Sequence, residues 1–234
     1  MTGVDQAIVD IVLNGEWHDS EIDQRTKSAL RLVEAMTLTP ESITSSLVSE
    51  LQSNGLSVAE IEEVASVAFQ FQFINRVADA MDFPMPDDEQ QGRQTKMLNF
   101  LGRFVFTKPP QPNWIKGKDG IVRPTELERG RNLLLGRAGS LSADVRRDVE
   151  SYAASLWHAT RPEANLTDSV EAFVRPLSLH AYRIHDELIT RLLDDGYTEQ
   201  QIFELTLVGS VGAAMAGQER LFEALSSTKE PAAV

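Results

Sequence analysis

Two histidines, two carboxylates, a tyrosine and an arginine crowd into one short stretch of this chain: His180, Tyr182, Arg183, His185, Asp186 and Glu187. Such a set could pass protons between imidazole and carboxylate near neutral pH, or hold a divalent metal. A second pair, Arg76 and Asp79, recurs in type as Arg220 and Glu223. At an i, i+3 spacing on a helix each arginine can reach its own acid, or turn to clamp a substrate anion. Cysteine is absent from all 234 residues, which excludes thiol nucleophiles, disulfides, thiolate metal sites and iron–sulfur clusters.

The elements that must position these groups come as two copies of one pattern. Ile43, Leu47, Leu51, Gly55 and Ile61 return 141 residues later as Ile184, Leu188, Leu192, Gly196 and Ile202. After a shift of about three residues, Ser66, Val67, Arg76 and Ala80 answer to Ser210, Val211, Arg220 and Ala224. Gly55 and Gly196 each end a periodic segment, and Ser57 with Glu60, then Thr198 with Gln201, form capping-box patterns that open new helices. Each copy therefore reads as a short helix, a glycine turn and a long helix, the long ones covering about 58–81 and 199–225, with the pair expected to fold as an antiparallel hairpin.

Further helices follow the same logic. One near 4–13 stops at Asn14 and Gly15; another begins at Ser20, with Glu21 and Asp23 as acidic first-turn residues. Ser142 caps a helix carrying Val145, Val149, Tyr152 and Leu156, with His158 in its last turn. Thr167 and Asp168 start one that Pro176 should kink or end. Phe69, Phe71 and Phe73 alternate with Gln70 and Gln72 like a strand, but inside a capped helical phrase they read as a helix buried on most sides. No segment alternates long enough to make a sheet, so the fold class is all-α. The chain divides into an N-terminal unit (1–106), a linker (107–124), a C-terminal unit (125–226) and a tail (227–234) expected to be disordered. The linker is rich in proline and glycine and locally basic, and reads as a solvated connection or as an arm anchored by Trp114.

With the repeat in view, the reactive cluster changes meaning. His185 aligns with Thr44, a helix-capping position, and Asp186 and Glu187 fall in a first turn where acids suit the helix dipole. His180 and His185 are five residues apart, which on one helix splays them, so no metal and no cofactor are expected. His185, Glu187 and Arg76 remain the candidate catalytic residues. The duplicated Arg–acid pair reads as structural, each basic residue paired on its own helix face.

The phrase GLSVAEIEEVASVAFQFQFINRVADAM, with FINRVADA before an Asp-Phe-Pro turn, resembles the core helix pair of the AhpD-like, or carboxymuconolactone decarboxylase, superfamily. The second copy, GYTEQQIFELTLVGSVGAAMAGQERLFEAL, is similar in spacing. The resemblance implies an AhpD-like helical bundle built from two pseudo-repeats. Peroxidase-type members carry a Cys-x-x-Cys pair and a nearby histidine before the glycine, with a glutamate about a dozen residues upstream. By that resemblance the thiols would fall on Pro40 and Ile43 and on Ala181 and Ile184, and the histidine on Leu47 and Leu188. None of these residues can supply a thiolate, so thiol peroxidase chemistry is excluded.

A formal net charge of −13 argues against nucleic acid and against an anionic membrane surface. No secretory leader or membrane span is visible, which makes the cytoplasm the expected location. Two functions stay open. One is a degenerate binding or assembly module that self-associates as a homodimer or larger. The other is a cofactor-independent acid–base enzyme, of decarboxylase or isomerase type, acting on a small organic acid or lactone and therefore taking a small acidic or apolar ligand.

Overall fold

The computed structural model describes residues 6–82, 114–116, 122–136, 139–158 and 165–229. Within them the chain forms α1 Gln6–Leu13, α2 Gln24–Leu38, α3 Ser45–Ser53, α4 Val58–Ala80, α5 Thr125–Gly136, α6 Ala143–Ser155, α7 Asp168–His180, α8 Asp186–Asp194 and α9 Glu199–Lys229. A ribbon of two three-residue strands, β1 Trp114–Lys116 and antiparallel β2 Val122–Pro124, precedes α5. The fold class is all-α.

Local chemistry sets most helix starts. The Glu60 amide donates to Ser57 Oγ, and the Ser57 amide donates back to the Glu60 carboxylate at 2.9 Å. Thr198 and Gln201 make the same reciprocal pair at 2.9 and 3.2 Å, so two orphan donors are satisfied at each start. Ser142 accepts from Val145 N–H and Thr44 from Leu47 N–H, both at 3.3 Å. Helix α2 begins later than its sequence suggests. Asp23, not Ser20, is its cap, accepting from the hydroxyl and amide of Thr26, and these bonds hold the carboxyl below its ordinary value. Ser20 Oγ instead donates to the carbonyl of Trp17.

The two halves share an order of elements. A 3-10 turn (Pro40–Ser42), the nine-residue α3, Gly55 and α4 follow α2; a 3-10 turn (Ala181–Arg183), the nine-residue α8, Gly196 and α9 follow α7. Gly55 (φ +96°) and Gly196 (φ +89°) occupy the left-handed region that lets each chain reverse at no steric cost.

Two apolar cores result, and the long helices run through both. The first gathers Leu32, Met36, Val48, Leu51 and Ile61 and is completed by Leu221, Phe222 and Leu225 from the far end of α9. The second gathers Val149, Tyr152, Phe173, Leu177, Leu192 and Leu205 and takes in Ala80 from the end of α4. A fully buried Leu or Phe contributes roughly 1.5–3 kcal/mol, so α9 ties its own unit to the other through side chains of real energetic weight. Between the two cores every residue of α9 from 208 to 218 is buried, and all but Met215 and Gln218 are small or β-branched. That lets α9 lie close along α4 and α6, and Gln218 Nε2 donates to the carbonyl of Ala65 at 2.5 Å.

Several sequence expectations change. Pro176 does not end α7, which runs on to His180; the missing N–H frees one carbonyl while the packed inner face, Phe173 and Leu177 included, holds the helix together. The supposedly irregular linker contains the ribbon, where β-branched Ile115 and Val122 lie on paired strands. Residues 227–229 of the tail continue α9; residues 230–234 lie outside the described residues. Helix α3 finds more of its packing on α9 than on α4, so the first hairpin is not closed on itself. Finally, α4 is not buried on most sides. Its inner stripe is Ile61, Ala65, Ala68 and Gln72, small enough for the close approach of α9, and Phe71 is left on the outside.

Ser210 Oγ on α9 is fully buried without a hydrogen-bond partner. Ser210→Ala is therefore expected to leave stability unchanged or to raise it by up to about 1 kcal/mol, because the desolvated hydroxyl offers nothing in return. A urea midpoint lower than that of the natural chain would show that the hydroxyl has a partner after all.

Candidate functional site

The structure does not bring the three candidate catalytic residues into one site. His185 occupies the position before α8, but its side chain does not cap the helix. Its Nδ1 turns to Glu187 Oε2 at 2.7 Å, and both side chains are exposed. Thr44 caps α3 with a hydroxyl, which can lie back over the first-turn amides; the imidazole pairs with the carboxylate two residues on instead. His180, at the end of α7, meets Tyr182 edge-on with ring centres 5.9 Å apart, and Arg183 lies 5.6 Å from the same ring. Among the described residues no three His, Asp or Glu side chains gather in a way that could hold a metal ion.

Arg76 is turned the other way, into the molecule. Its Nε donates to the carbonyl of Ser178 at 3.2 Å and one terminal nitrogen to the carbonyl of Gln72 at 2.9 Å. Ser178 lies in the last turn of α7, where carbonyls lack helical partners and the dipole is negative, so a buried cation fits there. Burial lowers the Arg76 pKa to about 10, and the nearby charge of Asp79 pulls it back upward. No hydrogen bond joins Arg76 to Asp79. The two expected Arg–acid pairs therefore differ: Arg220 bridges Glu223 at 3.4 Å, while Arg76 bonds to the end of α7 instead of to Asp79. The Ser178 side chain completes this junction, accepting from Trp157 Nε1 at 3.0 Å and donating to the carbonyl of Ala153 at 2.8 Å.

The positions that the resemblance assigns to reactive groups are hydrocarbon. Pro40, Ile43, Leu47 and Ala181 are buried, and Ile184 and Leu188 pack partly buried against the second core. About a dozen residues before Pro40 and Ala181, where a glutamate is implied, lie Ser28 and Ser169, each 2% exposed, with Glu171 ten before Ala181 and accepting from the Tyr152 hydroxyl at 2.9 Å. None of these side chains can supply a thiolate to a peroxide.

A polar concavity lined by several titratable groups was not among the sequence candidates. A cleft of about 320 Å³ is lined by Arg131 of α5, Glu150 and Ser151 of α6, His158 beyond α6, and Met215 and Glu219 of α9. Arg131 binds Glu150 through two nitrogens, Nε to Oε1 and a terminal nitrogen to Oε2 at 3.0 Å, and the Glu150 side chain is only 8% exposed. His158 lies past the end of α6, its amide bonded to the carbonyl of Ser155 at 2.9 Å, one turn later than expected. No spacing announces this group, because its members come from three helices and meet only through packing.

Comparison with protein-family models, curated proteins and solved structures returns no match for the chain. No helix among the described residues is long and apolar enough to cross a membrane.

Proposed function

We propose that this chain is an AhpD-like bundle of two pseudo-repeats that has kept the architecture without the thiol chemistry, and that it serves in the cytoplasm as a self-associating binding or assembly module. One observation carries the reading. At both sets of positions where the resembled family keeps its reactive groups, this chain holds buried or half-buried hydrocarbon, while His185, Glu187 and Arg76 are spread between the surface and the interior. The shared order of turn, nine-residue helix, left-handed glycine and long helix supports the duplication.

A second reading has one observation behind it. The cleft at Arg131, Glu150 and His158 places an imidazole, a carboxylate and a guanidinium together, as an acid–base enzyme for a small organic acid or lactone would require. Yet Arg131 already binds Glu150 through two nitrogens, so a substrate acid would have to compete with that carboxylate for the guanidinium.

Thermal shift separates the two. The melting temperature is expected to stay unmoved by small carboxylates, lactones and aromatic acids. A ligand at a hundred times its Kd would add about 2.7 kcal/mol, an easily read rise. A rise that disappears in His158→Ala would assign an enzyme to the cleft, and one that disappears in His185→Ala or Arg76→Met would assign it to the original candidates.

A further inference from the structure

We propose that two copies of this chain associate through the outer face of α4, antiparallel about a twofold axis near Phe71; the proposal rests on the assembly reading and supplies its surface. Val67, Phe71 and Ile74 are 52, 62 and 58% exposed, and their i, i+4, i+7 spacing aligns them in one stripe along the helix. Phe69 and Phe73 flank it half-buried, and Gln70 and Asn75 border it with uncharged hydrogen-bonding groups. Single exposed apolar residues are ordinary, but an uninterrupted row on one helix marks an interaction face.

Charge selects the occupant. The chain carries a net −13, so two copies repel across most of their surfaces. Residues 64–78 contain no acid at all, and their one charge, Arg76, is turned inward to the carbonyls of Ser178 and Gln72. A basic partner would find nothing to bind on this stripe. A second copy finds here a helix face along which like charges do not meet.

The symmetry is also satisfied. A twofold axis near Phe71 sets Val67 against Ile74 of the second copy and brings the two phenyl rings together, an isologous contact. Glu63 and Asp79 lie eight residues from the axis, about 12 Å along the helix, and a crossing near 50° carries them away from their counterparts. One crossed helix pair falls at the small end of specific interfaces, below about 1,200 Å² in total, the range of weak and transient contacts. Screening the mutual repulsion tightens it as salt is added.

Sedimentation equilibrium of the full chain over a micromolar concentration series tests this. The natural chain is expected to dimerise, more tightly in higher salt. Phe71→Asp should weaken association at least about tenfold with the melting temperature of the dilute monomer unchanged. Leu38→Asp, an exposed apolar site on α2, should have no effect. Because the chain lacks cysteine, oxidising a mixture of Val67→Cys and Ile74→Cys proteins should give mixed disulfide dimers in excess over either symmetric product. A dimer that survives Phe71→Asp, or that salt loosens, places the contact elsewhere and overturns the proposal. So does a chain that stays monomeric throughout the series, whatever Phe71→Asp does to its melting temperature. Any of these would leave the non-catalytic reading untouched; turnover of a small acid would overturn that reading and leave the α4 contact standing.

Discussion

Gly212→Val is expected to destabilise the fold by about 3 kcal/mol, a drop in melting temperature of about 6–12 °C for a chain of this size. Gly212 lies mid-way along α9 where it crosses α6. A Cβ built there would fall inside the van der Waals shell of the Glu150 carbonyl oxygen and 3.0 Å from the carbonyl carbon and Cα of the same residue. Those are backbone atoms in the middle of a packed helix, so no rotamer change can clear them. The two helices must move apart, and with them the core that holds Val149, Tyr152 and Leu205. Alanine carries the same Cβ and should already cost most of the effect. Gly130 gives the opposite sign. It lies exposed in α5 with open space around it, so Gly130→Ala should stabilise by about 0.5–1 kcal/mol through helix propensity alone. Urea unfolding of the variants settles both signs. A Gly212→Val protein as stable as the natural chain would mean that α6 and α9 are not in contact there.

How much of this was readable beforehand depends on the range of each interaction. Ser57 with Glu60, Thr198 with Gln201 and Ser142 announce themselves because a cap and its amide lie three residues apart. The left-handed turns at Gly55 and Gly196 are legible for the same reason. Arg76 with Ser178, Gln218 with Ala65 and Glu204 with Ser140 are separated by 102, 153 and 64 residues, and nothing in local spacing pairs them. The phenylalanine run of α4 misleads for a different reason. A helix apolar on every side reads as buried, but the close approach of α9 requires Ala65 and Ala68 inside, which drives the bulky Phe71 outward. Gln72 goes inward in its place and meets Thr37 Oγ1 at 3.3 Å. Titratable residues close in sequence, such as His185 and Glu187, need share nothing but a surface, whereas those of the cleft converge from three helices and leave no local spacing to read.

Glu204 carries the second large effect, because one carboxylate serves three groups at once. It accepts from the amides of Ser140 and Leu141 at 2.6 and 2.9 Å, fixing the loop that leads into α6. Its oxygens and the guanidinium of Arg146 both lie within 2.9 Å of where a Cβ on Gly139 would be, so the two charges face the same small space. Arg146 is buried, its Nε has no hydrogen-bond partner, and its charge attracts the Glu204 carboxylate. Burial pushes the Glu204 pKa upward, but the amides of Ser140 and Leu141 and the charge of Arg146 outweigh it and hold the carboxyl below its ordinary 4.5. A carboxyl depressed in the folded state adds stability above its unfolded pKa, and that stability is lost as the pH falls through the lower folded value. Glu204→Ala is therefore expected to cost about 1–2 kcal/mol at neutral pH, from the part-buried Leu141 amide left without its acceptor and from the lost attraction to Arg146. The gap between variant and natural chain should narrow as the pH drops below 4.5, because protonation removes from the natural chain what the substitution has already removed. Arg146→Met in the Glu204→Ala background should recover part of the loss, since the stranded charge goes with it. A penalty that stays constant down to acid pH would mean that Glu204 acts through packing and not through its charge.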